Sequence, residues 1–518
     1  MLRLSRGLRC EKAHLFALRD RRRNCITQFP GDRKASFGTG EQHVLTVSKT
    51  RGEPSTSTNL KEALCEKIPV HHDLLRNFRL HFGPSVISQI TVENLYTGLN
   101  DVKTIVRETS ELDPKRGIIY RGLTIPEVIA LLPREGNSPS AEAVFWLLLT
   151  GDVPTQQQTA SLIADWTLRR KKCAEWWSGP RGETIASVLR SMPETITPLH
   201  KLSVALTIFD ISKTAKEAKR HGAMPYTYWE YTYEDGMEFL ATLPAIIGLI
   251  AKGQTLTNVS GDGDWVQFLL DCLRNVNESL DGRKSSIADF LRLYITLNAD
   301  DDGGAPIAHV TEILGSTDLH INEVLASTVL GYVDEPKSGT MLEWKELQKK
   351  IKNTLGRTWT EHALKTCVLN LLSRRDKLIG HKEADFCDPR YTALLHYAKQ
   401  HLASNSEIKL SEDVTQIIRT TMRRPKRKDI YPQQNALAPV IFQYYGLEDM
   451  RFNQTIYYMA RALGAIASII WTKIVNAPIE HPISSCTYSY IESICDNGIK
   501  KRKRRIRNAD AHKKYMGK

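Results

Sequence analysis

Tyr457-Tyr-Met-Ala-Arg-Ala-Leu-Gly-Ala-Ile-Ala-Ser-Ile-Ile-Trp-Thr-Lys-Ile474 decides the fold class. Met459, Leu463, Ile466, Ile470 and Ile474 recur every three or four residues, the period of a helix buried along one stripe. Arg461 stands in the middle of this apolar run. A guanidinium there is expected to lie partly buried and to need an anionic partner. Outward from this helix the same period dominates. Thr124-Ile-Pro-Glu127 reads as a capping box ahead of an apolar run that stops at Pro133. Ser138 with Pro139 is expected to start the next helix, Phe145 to Leu149 to form its buried part, and Gly151 to end it. Gly117 to Tyr120 is a candidate short strand, but no stretch shows sustained strand alternation and no internal repeat is present. The chain is expected to be mainly α-helical.

At 518 residues it is long enough for two or more domains. Its net charge of +13 is concentrated at the two ends. Residues 1–34 carry ten Lys/Arg against three Asp/Glu, and residues 500–518 carry ten against one, so the body is close to neutral. Tails of this kind address compartments or bind polyanions. Arg3, Arg6 and Arg9 alternate with Leu2, Leu4 and Leu8 in the pattern of a mitochondrial presequence, read over residues 1–35. The expected location is the mitochondrial matrix. Residues 36–74 read as a linker, with Ser, Thr and Gly concentrated before residue 60. Residues 499–518 form a basic tail whose Lys501 to Arg505 resembles a nuclear address. It has no interleaved aromatics, so a nucleic-acid role is set aside. Nine cysteines without a Cys-x-x-Cys pair exclude a disulfide framework and a zinc site, and fit a reducing compartment. The longest apolar runs, Leu240–Ala251 and Ala462–Trp471, are too short to span a membrane.

Gly380-His-Lys-Glu-Ala-Asp-Phe-Cys-Asp-Pro-Arg390 is the stretch with chemistry in it. A Gly before a His lets something approach the imidazole closely. An Arg can hold a carboxylate in its planar fork. Taken alone, the stretch also fits a loop with one surface His and one surface Arg. Cys387 within it reads as a passive small residue.

Other stretches change that reading. Glu111-Leu-Asp-Pro-Lys-Arg-Gly117 with Tyr120-Arg-Gly122, Tyr228-Trp-Glu230 with Tyr233-Glu-Asp235, and Gln443-Tyr-Tyr-Gly446 with Arg461-Ala-Leu-Gly464 resemble, in order and spacing, citrate synthases of the eukaryotic mitochondrial type. The resemblance covers about residues 75–490. It implies an all-α homodimer with a large domain made of two chain segments, 75–332 and 437–498, and a small helical domain, 333–436, inserted between them. It implies condensation of oxaloacetate with acetyl-CoA in the tricarboxylic acid cycle, with acetyl-CoA as co-substrate and no other cofactor or metal. Such chemistry needs a carboxylate to take a proton from the thioester methyl, a donor to the thioester oxygen, a donor to the ketone, and arginines for the oxaloacetate carboxylates.

By position, the ketone donor falls on His381 and two carboxylate-binding arginines fall on Arg390 and Arg461, all retained. Two CoA-phosphate lysines fall on Lys426 and Lys428, a cluster that fits a solvated basic loop equally well. Other positions change type. The His that donates to the thioester becomes Asp334, and the catalytic Asp becomes Asn435. A substrate-binding His becomes Asp301, a third carboxylate-binding Arg, supplied by the neighbouring subunit in the family, becomes His481, and an Arg of the CoA loop becomes Asp385. Asp300, Asp301 and Asp302 read as a capped or solvated turn rather than a metal site. Two functional classes follow from the resemblance. One is a citrate synthase or related acyl-CoA condensing enzyme with rewired catalytic residues. The other is a homologue with a degraded site and weak or absent activity, pairing with itself or with an active relative.

Overall fold

Polar side chains fix where the helices begin. Asn59 Oδ1 accepts from Lys61 N at 2.9 Å and Glu62 N at 3.2 Å, opening the helix Leu60–Phe82. Glu127 Oε2 accepts from Thr124 N and Thr124 Oγ1, each at 2.8 Å, at the start of Ile125–Leu131, as the capping box predicts. Asp449 caps Met450–Ile474, which therefore begins well before Tyr457. These features are seen in a computed structural model that describes residues 53–495 apart from 101, 210–212, 275–283, 333–335, 357, 373–379 and 422–427. The presequence, the basic tail, Asp334 and Lys426 lie outside the described residues.

Two expectations shift. The helix Leu60–Phe82 occupies part of the stretch read as linker, because Leu60, Ala63 and Leu64 bury an apolar face there. Ser138–Pro139 does not start a helix but pairs antiparallel with Arg134–Glu135. Ser140 is the cap instead: its Oγ accepts from Ala143 N at 3.1 Å and opens Ala141–Thr150. Gly151 ends that helix at φ +81°, a left-handed conformation open to glycine.

Strands are few among the described residues: one three-stranded sheet, Ser110–Asp113, Gly117–Tyr120 and Leu123–Thr124, and two two-stranded ribbons. The other regular elements are helices, and the fold is all-α with small β additions. The sheet ties distant helices together through the Tyr120-Arg-Gly122 motif. Arg121 Nε and Nη2 donate to the carbonyls of Leu148 and Leu149 at 2.8 and 3.0 Å, closing the end of Ala141–Thr150. Trp471 Nε1 reaches the Leu149 carbonyl too, at 2.7 Å.

At the centre, Tyr228–Lys252 packs on Met450–Ile474. A Cβ on Gly236 would lie 2.8 Å from Ile466 Cγ2, so the missing side chain sets their close approach. A second hydrophobic cluster is separate from this core. Trp344, Leu347, Ile351, Leu364, Val414 and Ile430 belong to it, drawn from Pro336–Leu355, Glu361–Leu372, Ser406–Thr421 and the strand Asp429–Pro432. The intervening helix Pro389–His401 packs its Tyr391, Leu394 and Tyr397 on the main core. The chain divides into two compact units, one ending at Ala477 and one beginning at Pro478. In the second unit, residues 478–486 lack regular structure and 487–495 are helical. No helix of the described residues is long and apolar enough to cross a membrane.

The main core also buries an acid. Glu142 is fully buried, its Oε1 accepts from Trp265 N at 2.8 Å, and its Oε2 has no partner. Burial, then the Asp264 carboxylate, push its pKa up to about 8. The native state thus holds a proton that the unfolded chain releases above its ordinary range. This contribution is full below the ordinary carboxylate pKa and is lost as pH rises through about 8. Glu142→Gln, which keeps the acceptor, should raise the melting midpoint by a few degrees at pH 8.5 and by much less at pH 5. Thermal denaturation at the two pH values checks this, and an equal shift at both would contradict it.

Candidate functional site

Arg461 is 3% exposed, and every nitrogen of its guanidinium has a protein partner. Nε and Nη2 donate to Tyr457 Oη at 3.1 and 2.7 Å, one helical turn back. Nη1 donates to the Asp300 carbonyl, and Nη2 lies 3.5 Å from Asp301 Oδ2. Burial is the largest influence and opposes the charge, but the Asp301 carboxylate and the oxygens of Tyr457, Tyr332 and Tyr120 together outweigh it and hold the Arg461 pKa above its ordinary value. Asp301 is thus the anionic partner that the sequence calls for.

The segment carrying these aspartates is held from three sides. Tyr120 Oη donates to the Leu297 carbonyl at 3.2 Å and accepts from Asp300 N at 3.3 Å. Ser110 Oγ donates to the Asp301 carbonyl at 2.7 Å. Gly464 N donates to the Ala299 carbonyl at 2.9 Å, and a Cβ on Gly464 would collide with the Asp300 side chain. Asp300 is paired in turn: Arg107 Nη2 is 2.6 Å from its Oδ1, and Arg107 Nη1 is 2.8 Å from Glu312 Oε1. Of the capped or solvated turn expected over Asp300 to Asp302, the caps are present, with Asp300 Oδ1 accepting from Asp301 N at 2.9 Å and Asp302 Oδ1 from Gly304 N at 3.0 Å, but solvent does not reach Asp300 and Asp301. They are 2% and 8% exposed, because two buried guanidiniums need their charges. Among the described residues no group of His, Cys, Asp and Glu could hold a metal ion.

Arg390 opens the helix Pro389–His401 and is 4% exposed, not on the surface. Its Nε and Nη2 bond to the two oxygens of Asp388 at 2.9 and 2.8 Å. Its Nη1 has no hydrogen-bond partner. Burial raises the Asp388 pKa, but the Arg390 guanidinium and its hydrogen bonds prevail and bring it down to about 2. Arg390 lies within electrostatic range of both Asp301 and Arg461.

His381 is buried too, on the strand His381–Ala384, opposite Pro432 of Asp429–Pro432. Its Nε2 is 3.2 Å from Thr415 Oγ1, and its ring is 5.2 Å from that of Trp344. Gly380 explains itself here: at φ +63°, its Cβ would sit 2.8 Å from Trp344 Cε3. The close approach is of an indole to the glycine. The ribbon continues as Gln433 N donates to the Gly380 carbonyl at 2.9 Å, and this delivers Asn435. Asn435 is 1% exposed, and its Nδ2 has no partner. Gln434 Nε2, 3.5 Å from Asn298 Oδ1, links this turn to the segment bearing Asp301.

Arg390, Arg461 and Asp301 are thus brought together, and Asn435 lies in the turn that follows the ribbon bearing His381. Lys428 stands apart on the surface, 2.7 Å from Asp385 Oδ2. His481 is exposed in the second unit. Sequence reasoning missed Arg107, Asp388 and Tyr457. Two had a signal: Asp388 directly precedes the Pro-Arg that opens a helix, and Tyr457 lies one turn before Arg461. Arg107 had none, since its partner Asp300 is 193 residues away.

A family model described as the citrate synthase C-terminal domain matches residues 98–483. The chain is 30% identical over 458 residues to a probable mitochondrial citrate synthase of Caenorhabditis elegans, covering 87% of this chain and 95% of the relative. It is 30% identical over 451 residues to a mitochondrial citrate synthase of Xiphias gladius, covering 84% and 92%. The citrate synthase of Pyrobaculum aerophilum superposes with a TM-score of 0.57 at 17% identity, over 76% of this chain and 92% of that one. A ternary complex of carboxymethyl coenzyme A and oxaloacetate with citrate synthase from Thermoplasma acidophilum gives 0.55 at 12%, over 77% and 96%. At these identities the solved structures bear on the fold alone.

Gly464→Ala would push the aspartate segment off the Met450–Ile474 helix. It should cost ~1–3 kcal/mol of stability, as overpacking in a filled core does. Equilibrium denaturation measures it, and a neutral result would mean that the segment relaxes freely.

Proposed function

The chain belongs to the citrate synthase family, and we propose that it retains the fold and the small-acid pocket while condensing acetyl-CoA with oxaloacetate weakly or not at all. Asn435 carries this reading. It stands at the family's base position as a buried carboxamide, and an amide takes no proton from a thioester methyl at neutral pH. Asp334, at the position of the thioester donor, donates nothing while ionised. Asp385, at the position of an Arg of the CoA loop, pairs with Lys428 and offsets a charge intended for CoA phosphates. His381, Arg390 and Arg461, at the positions that hold the oxo acid in the family's pattern, are retained and buried.

The wider reading follows the family. The large domain comprises 75–332 and 437–498 and the small domain 333–436, a division supported by the separate cluster around Trp344 and Val414. The protein is a homodimer, in which His481 of each copy takes the place of the arginine given to the neighbour's site. Residues 1–35 direct it to the mitochondrial matrix, in keeping with relatives named as mitochondrial.

Thiol release from acetyl-CoA in the presence of oxaloacetate tests the chemistry. Turnover should be at least ~10³-fold below that of an intact relative, from loss of the base and of one oxyanion donor. The double change Asp334→His and Asn435→Asp should recover part of it. Wild-type turnover within about tenfold of an ordinary citrate synthase would favour rewired catalytic residues instead. A fusion of residues 1–60 to a reporter should enter mitochondria, and changing Arg3, Arg6 and Arg9 to Glu should abolish import. A reporter found in the cytosol or nucleus would contradict the presequence.

A further inference from the structure

We infer that the small-acid end of the site is built for one carboxylate, so that it binds a monocarboxylic 2-oxo acid in preference to a dicarboxylic one. The inference rests on the reading above that His381, Arg390 and Arg461 border the acceptor pocket. It is carried by an accounting of guanidinium nitrogens. Arg461 has none uncommitted: Tyr457 Oη takes Nε and Nη2, the Asp300 carbonyl takes Nη1, and Asp301 faces Nη2 at 3.5 Å. Arg107, the other buried guanidinium beside this segment, spends both terminal nitrogens on Asp300, Glu312 and Ser468, and only its inner Nε has no partner. Arg390 spends Nε and Nη2 on Asp388 and keeps Nη1. One terminal nitrogen, on one of the two retained arginines, therefore awaits an anion.

The charges agree. Arg461 is balanced by Asp301, and Arg390 by Asp388. A ligand with two carboxylates would have to displace Asp301 from Arg461, leaving a buried carboxylate with its counterion removed beside an incoming anion. A ligand with one carboxylate displaces nothing. A second buried donor, Nδ2 of Asn435, is also without a partner. Asn435 stands on the thioester side in that reading, so the ketone donor remains His381, and Arg390 Nη1 left unmet is costly enough to favour a carboxylate that meets it.

Titration calorimetry of the full chain at pH 7.5 without acetyl-CoA, using pyruvate and oxaloacetate as probes, tests this. Pyruvate should bind about tenfold or more tightly than oxaloacetate, since a like charge in the pocket selects against the second carboxylate. Asp301→Asn should remove the like charge beside Arg461 and tighten oxaloacetate about tenfold while moving pyruvate less than about threefold. Near-wild-type far-UV circular dichroism verifies that the variant is folded, and the wild-type ratio decides without any variant. Tighter oxaloacetate than pyruvate in the wild type, no binding of pyruvate, or an unchanged ratio in folded Asp301→Asn each overturns the inference. Because no thioester is present, those results leave the weak-condensation reading standing, whereas rapid thiol release overturns that reading instead.

Discussion

A guanidinium inside an apolar helix is the constraint on which the rest depends. Arg461 cannot be buried along Met450–Ile474 without acceptors for its donors and an anion for its charge. Tyr457 supplies a hydroxyl from the same helix, and the 299–302 segment supplies a carbonyl and a carboxylate. That segment can approach only because Gly464 has no side chain. Its position then fixes Arg107 and Glu312 through Asp300, and the hairpin Ser110–Tyr120 through Ser110 and Tyr120. One buried charge thus organises four separated stretches of chain.

Much of the fold was visible in the sequence, because helices announce themselves locally. The Met459-to-Ile474 stripe, the Thr124 capping box and Gly151 were all read in place. Where the expectation slipped, as at Ser138 and Pro139, the competition was between neighbouring cap candidates, and a two-residue strand pairing settled it. The site was legible in a different way. His381, Arg390 and Arg461 come from resemblance, and all three are buried, although local reading places two of them on a surface loop. The need of Arg461 for an anion was foreseen, but not that Asp301 meets it. The pairing of Arg107 with Asp300 spans 193 residues and leaves no trace in any short window. Sequence reasoning sees what one element asks for and rarely what another offers.

The second hydrophobic cluster divides the labour. Trp344 and Thr415, from its helices, seat His381, whereas Arg390 and Arg461 sit on helices packed in the main core. The ribbon of His381–Ala384 with Asp429–Pro432 carries His381, and the turn that follows it carries Asn435. The polar ends of the site are therefore anchored in two separate bodies of apolar packing, and Gln434 with Asn298 bridges the turn of one to the aspartate segment of the other.

Two like charges gathered in a buried pocket repel each other, and the presence of Arg461 does count against Arg390. In a pocket left open for an anionic metabolite, that repulsion is relieved only when the metabolite arrives, so folding stability rises and falls with its supply. Here Asp301 and Asp388 discharge the repulsion when the chain folds. The protein carries its own counterions, so its fold does not wait on a small acid to relieve that repulsion.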